Sequence, residues 1–191
     1  MNKERILAFS DGVLAIIITI MVLELKIPHG DKLEDLKPLI PIVVSYILSF
    51  VHIGIYWNNH HHMMYAVKKV NGVILWANLH LLFWLSLLPF VTGWMGENYF
   101  TTIPVALYGL DLFMSSIAYF ILSQCLLKYE GKSSVLAAAV GNDFKGKISS
   151  FLYILAIALA FVNAWTSLGI YTLVAMIWVI PDKRIEKVIS E

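Results

Sequence analysis

The chain has 191 residues, 59% of them hydrophobic and 14% charged, with a net charge of +1 and a mean hydropathy of +0.76. Soluble domains are about a quarter charged, so this composition excludes an ordinary soluble protein and points to an all-α polytopic membrane protein. The near-neutral charge leaves no bulk electrostatic case for nucleic acid, and the single Cys125 excludes an intrachain disulfide.

Charge-free runs locate the spans, because a hydrocarbon core of about 30 Å takes about 20 helical residues. The first span is expected over 5–25, the second over 39–63, the third over 71–93 and the fourth over 102–127. A cleaved signal peptide does not fit the first. Ser10 and Asp11 interrupt its apolar run, and Glu24, Lys26 and His29 follow where a small-residue cleavage site belongs.

The last charge-free run, 148–181, is 34 residues long, about 51 Å of helix at 1.5 Å per residue. That is too long for one span and short for two. The stretch from Asn163 to Gly169 is turn-like, so the run divides into spans over 147–163 and 167–181. The chain then forms a single six-helix transmembrane domain over 1–191.

Loop charge sets the orientation. With the N-terminus inside, Lys3, Arg5, Lys68, Lys69, Lys128, Lys132, Lys145, Lys147, Lys183, Arg184 and Lys187 lie inside, and Lys26, Lys32 and Lys37 outside. Eleven of the fourteen cations on one side satisfy the positive-inside rule with six spans and both termini cytoplasmic. Trp57, Trp94, Tyr99 and Tyr129 fall near the interfaces, where aromatic belts form.

The first span carries two kinds of face. On a helix with Ile16 at zero, Phe9 falls at about 20°, Gly12 at about 320°, Thr19 at about 300°, Ile20 at about 40° and Leu23 at about 340°. These form one lean stripe. Ser10, at about 120°, and Asp11, at about 220°, point elsewhere. A charge inside a span is expensive and marks a functional or architectural site. Arg5 is poorly placed to pair with Asp11 along the helix, so partners are sought on spans two and three, among Asn58, Asn59, His60, Asn78 and His80.

Other motifs carry less. His60, His61 and His62 splay over about 200° of a helix and cannot converge on one metal ion. Asp111 is a second acid in a span. Thr166-Ser167-Leu168-Gly169-Ile170-Tyr171 lacks the order and second glycine of a selectivity filter and reads as a turn. No phosphate loop, catalytic triad or zinc-binding motif supports an enzyme.

Arg5-x-x-x-Phe9-Ser10-Asp11, running on through Gly12 to Thr19 at the start of a six-span chain, resembles the signature of the transmembrane protein 175 family of potassium channels. The resemblance implies a prokaryotic member in the cell membrane. It implies a homotetramer in the lipid bilayer, with the first helix lining a central pore, no re-entrant filter, no cofactor and potassium as the permeant ion. The implied constriction falls on Ile16, with Ile20 and Leu23 along the same wall, and the implied selectivity residue is Thr19. Arg5 also projects near the stripe, at about 340°, where a cation would repel the permeant ion unless turned aside. Two alternatives compete: a cation/proton secondary transporter using Asp11 and Asp111, and a non-conducting accessory protein in which Asp11 only stabilises the fold.

Overall fold

Long apolar runs become helices, because a chain in hydrocarbon must satisfy its backbone polar groups internally. A computed structural model describes residues 3–67, 69–131, 134, 136–137 and 144–179. Among these are six helices of 16 to 29 residues: α1 (Lys3–Leu23), α2 (Ile40–Tyr65), α3 (Gly72–Glu97), α4 (Thr102–Glu130), α5 (Phe144–Ala160) and α6 (Ala164–Val179). A short 3-10 helix, Leu33–Leu39, leads into α2.

α1 to α4 are long and apolar enough to cross a membrane. α5 and α6, with 17 and 16 residues, reach about 25 Å at 1.5 Å per residue. They form a tight helical hairpin.

Local chemistry sets the boundaries. Asn71 caps α3, its side-chain oxygen accepting from the Ile74 amide at 3.0 Å. Gly131, with φ of 90°, ends α4 in a backbone conformation that L side chains rarely adopt. The α5–α6 turn occupies only Phe161, Val162 and Asn163. Asn163 Oδ1 accepts from the amides of Trp165 at 2.9 Å and Thr166 at 3.4 Å, an N-cap that starts α6 at once.

This corrects the expected turn through Gly169. Thr166, Ser167, Leu168 and Gly169 are helical, and Ser167 is buried, donating to the Ala156 carbonyl at 2.7 Å. One amide side chain at position 163 supplies the chain reversal that sequence composition spread over seven residues. The expected end of this span, 180–181, lies outside the described residues, as do Lys68, Lys132, Lys183, Arg184 and Lys187.

α3 and α4 pack along each other at the centre. α1 lies on α3 and α2, while α5 and α6 pack on α4, and α6 also meets α2. Close approach needs small residues where backbones meet. A Cβ on Gly96 of α3 would stand 2.8 Å from Ile42 Cα of α2, and one on Gly109 of α4 would strike the Tyr171 hydroxyl of α6. Tyr171 in turn donates to the Val105 carbonyl at 3.2 Å. A ladder of hydroxyls, Ser49 to Thr92 at 2.7 Å and Ser49 to Tyr108 at 3.1 Å, ties α2, α3 and α4 together.

Candidate pore helix and its anchors

α1 packs by one side only. Ile6, Ser10, Leu14, Ile17 and Met21 are buried, and on the helical wheel they centre on about 120°. The exposed arc lies opposite. It includes Phe9 (54% exposed), Ile16 (59%), Ile20 (44%) and Leu23 (73%), together with Gly12 and Thr19. Ala8, Ala15 and Val22 extend it on one flank. Gly12 and Thr19 therefore sit near the middle of the open face and Ile20 at its edge. A Cβ on Gly12 would meet nothing within 4 Å.

Thr19 has a defined polarity. Its hydroxyl donates to the Ala15 carbonyl at 2.8 Å. With the proton committed to the backbone, only oxygen lone pairs remain to face outward. Such an oxygen accepts hydrogen bonds from water or coordinates a cation weakly.

Two helices hold the other side of α1 near its N-terminal third. Asn78 on α3 donates through Nδ2 to Ser10 Oγ at 2.9 Å, and its Oδ1 lies 2.7 Å from His60 Nε2 on α2. An amide oxygen accepts only from N–H, so His60 carries its proton on Nε2. All three residues are buried. The next residue, Asp11, is half-buried and accepts from the Trp57 indole N–H of α2 at 3.0 Å.

The expected partners thus divide. Asn78 and His60 reach the motif, but at Ser10. Asp11 takes Trp57, which composition alone had assigned to an aromatic belt. Asn59 donates back to the Ile55 carbonyl at 2.8 Å on its own helix, and His80 accepts from Trp84 at 3.0 Å on its own. Asn58 is half-buried on α2 and takes no part in the network. Arg5 is exposed and pairs with no acid among the described residues.

His60, His61 and His62 diverge. His60 is buried on Asn78, His61 is exposed and stacks on Tyr65 at 6.4 Å, and His62 is half-buried. The start of α1 is tied to the end of α2 by Lys3, which donates to the Tyr65 carbonyl at 3.1 Å and sits over its ring. Beyond the other end of α1, Lys26 pairs with Glu97 of α3. The hydrogen bond and charge of Glu97 raise the Lys26 pKa above its usual value.

Asp111 lies elsewhere, buried on α4 about one turn beyond Tyr108. The structure does not bring it together with Asp11: Tyr56 faces α4 and the hairpin, whereas Trp57 reaches α1.

Comparison with known proteins decides the family. The model of the endosomal/lysosomal potassium channel TMEM175 matches residues 5–89. A potassium channel of Chryseobacterium sp. (strain P1-3) is 56% identical over the full length of both chains. The chain belongs to the TMEM175 family. Another relative, a potassium channel of Streptomyces collinus, is 30% identical over 92% of this chain and 91% of its own. The crystal structure of a lysosomal potassium-selective channel TMEM175 homologue from Chamaesiphon minutus superposes with a TM-score of 0.81. It is 26% identical and covers 94% of this chain and 97% of that one. Membership makes this chain an integral, multi-pass membrane protein of an ion-channel family rather than an enzyme.

Proposed function

We propose that four copies of this chain assemble in a prokaryotic cell membrane as a potassium-selective channel, with the open face of α1 lining the axis. The observation that carries this reading is the one-sided packing of α1. A membrane-length helix buries Ile6, Ser10, Leu14, Ile17 and Met21 while leaving a row of Gly12, Ile16, Thr19, Ile20 and Leu23 bare. One chain of six helices cannot enclose an ion path with that row. Closed rotational symmetry can, placing identical rings of side chains around one axis. The potassium names of the bacterial relatives support the choice of ion.

In this assembly Ile16 forms an apolar ring. An ion there loses water and gains no ligand, so a narrow ring closes by dewetting. Thr19, one turn on, offers oxygen lone pairs. Potassium dehydrates more easily than sodium, so an apolar ring beside a weak oxygen ring favours potassium without a rigid cage. Ser10, Asp11 and their partners fix the helix from behind, and Phe9 and Arg5 lie toward its N-terminal mouth.

Six crossings with both termini cytoplasmic suit the arrangement. Lys3, Arg5, Lys69, Lys128, Lys145 and Lys147 lie near one set of helix ends, and Lys26, Lys32 and Lys37 near the other. The short hairpin crosses with local bilayer thinning, at a modest cost per ångström of mismatch.

The test is reconstitution of the purified chain in a planar bilayer, with its mass measured from mild detergent. A fourfold assembly passing current that reverses near the potassium equilibrium potential is expected. A monomer that remains active, or flux that needs a coupled proton gradient, would overturn the reading.

A further inference from the structure

The exposed row of α1 carries no charge: Gly12, Ile16, Thr19, Ile20 and Leu23 are all neutral. The two ends of the helix differ. Lys3, Glu4 and Arg5 open it, two cations against one acid. At the other end α1 stops at Leu23, which is 73% exposed, and Glu24 follows at once. The carboxyl end of a helix carries about half a negative charge, and Glu24 adds a full one.

Glu24 is exposed, yet α3 fixes its place. Its side chain lies across Gly93, where an added Cβ would stand 3.5 Å from Glu24 Cγ and Oε2. Glu24 and Glu97 line one hollow of about 240 Å³ at the end of α1, with Pro89, Phe90, Gly93 and Trp94 of α3.

One ammonium serves these two carboxylates. Lys26 pairs with Glu97, and Glu24 forms no ion pair among the described residues. Glu97, by hydrogen bond and charge, and Glu24, by charge, both hold the Lys26 pKa above its usual value. The pair of Lys26 and Glu97 ties the turn after α1 to the end of α3. Glu24 takes no part in that tie and leaves one net negative charge where the exposed row ends.

We propose that Glu24 is the residue that captures cations at the outer mouth of the pore, an inference that rests on the reading of α1 as the pore helix. In a fourfold assembly, four copies of Glu24 stand around the axis just beyond Leu23. Acidic rings raise the local concentration of cations at a channel entrance. Lys26 sets the strength of the ring, because it cancels Glu97 and halves the charge. In water, four charges about 10 Å from the axis enrich potassium about five- to tenfold at a Debye length of about 30 Å, and almost not at all at about 3 Å. Those lengths belong to about 10 mM and about 1 M salt.

Single-channel conductance of the full-length protein in membrane patches of known sidedness tests this, in symmetric potassium chloride at the same two concentrations. At low salt, Glu24→Gln should cut the current that enters at the outer mouth about five- to tenfold. Glu24→Asp should keep that current. Lys26→Gln, which leaves Glu97 uncancelled, should raise it. At high salt the wild type and all three variants should conduct alike.

Equal low-salt currents in the wild type and Glu24→Gln would overturn the proposal and leave the pore where it is. A loss in Glu24→Gln that persists at high salt would make Glu24 a structural residue and overturn it equally. A wild-type chain that passes no current at either concentration would overturn the reading of α1 as the pore helix, and this inference with it.

Discussion

The Trp57 indole N–H of α2 donates to Asp11 of α1 at 3.0 Å, one residue along from the Ser10 hydroxyl that Asn78 of α3 holds at 2.9 Å. Adjacent helix positions point about 100° apart. Gripped from two helices at once, α1 cannot rotate about its own axis without breaking one bond or the other. The grip sets which residues face outward, and those are Gly12, Ile16, Thr19 and Leu23.

The first prediction concerns Asp11. Asp11→Asn keeps an oxygen for the Trp57 N–H and should assemble nearly as the wild type does. Asp11→Ala and Trp57→Phe should each lower stability by about 1–3 kcal/mol, read as thermal loss of the oligomer peak in size exclusion. Combined, they should cost less than the sum, because they break the same bond. A well-assembled Asp11→Ala protein with altered ion preference alone would show that Asp11 handles ions.

Asn78→Leu should be worse than either. It leaves Ser10 without its donor and buried His60 without its acceptor, each worth about 1–3 kcal/mol. The same thermal assay should report a lower midpoint than for Trp57→Phe. An unchanged midpoint would mean that the three-residue chain does not anchor α1.

Replacing Ile16 by Asn puts a polar group where the proposed ring excludes ions. Constitutive leak through reconstituted channels is expected. Thr19→Val keeps the shape and removes the oxygen, so potassium over sodium preference should fall while assembly persists. Unchanged conductance in the first and unchanged reversal potentials in mixed potassium and sodium in the second would move the pore off α1.

Topology is tested at the hairpin. Val162 lies in the α5–α6 turn and is 82% exposed. In a Cys125→Ala background, Val162→Cys should react with an impermeant thiol reagent added outside intact cells, whereas a cysteine at position 187 should not. Reaction at 187 from outside would reduce the span count to five.

Gly96→Ala should destabilise the α2–α3 contact. The new methyl would stand 2.8 Å from Ile42 Cα, and backbone yields less readily than a side-chain tip. Overpacking of this kind costs about 1–3 kcal/mol. Gly12→Ala, with open space around the added carbon, should raise the stability of the single chain by about 0.5–1 kcal/mol, the helix preference of alanine over glycine.

The sequence by itself determined the helical membrane class and the existence of each long helix, because hydrocarbon admits only a few backbone solutions and apolar run length is read directly from the chain. It also marked which side of α1 is lean, since residues 100° apart repeat on one face whatever packs against them. Tertiary structure alone decided the partners. Trp57 lies 46 residues from Asp11 and Asn78 lies 68 from Ser10, and no local period links them. The hairpin turn depended on whether one side chain, Asn163, would cap the next helix. The cavity lined by His52, Tyr56, Tyr153 and Trp178 exists only because α2, α4, α5 and α6 meet there, and no local pattern in the sequence shows it. Pairings across helices are fixed by how side chains fit when the helices close, and that information is distributed over the whole bundle.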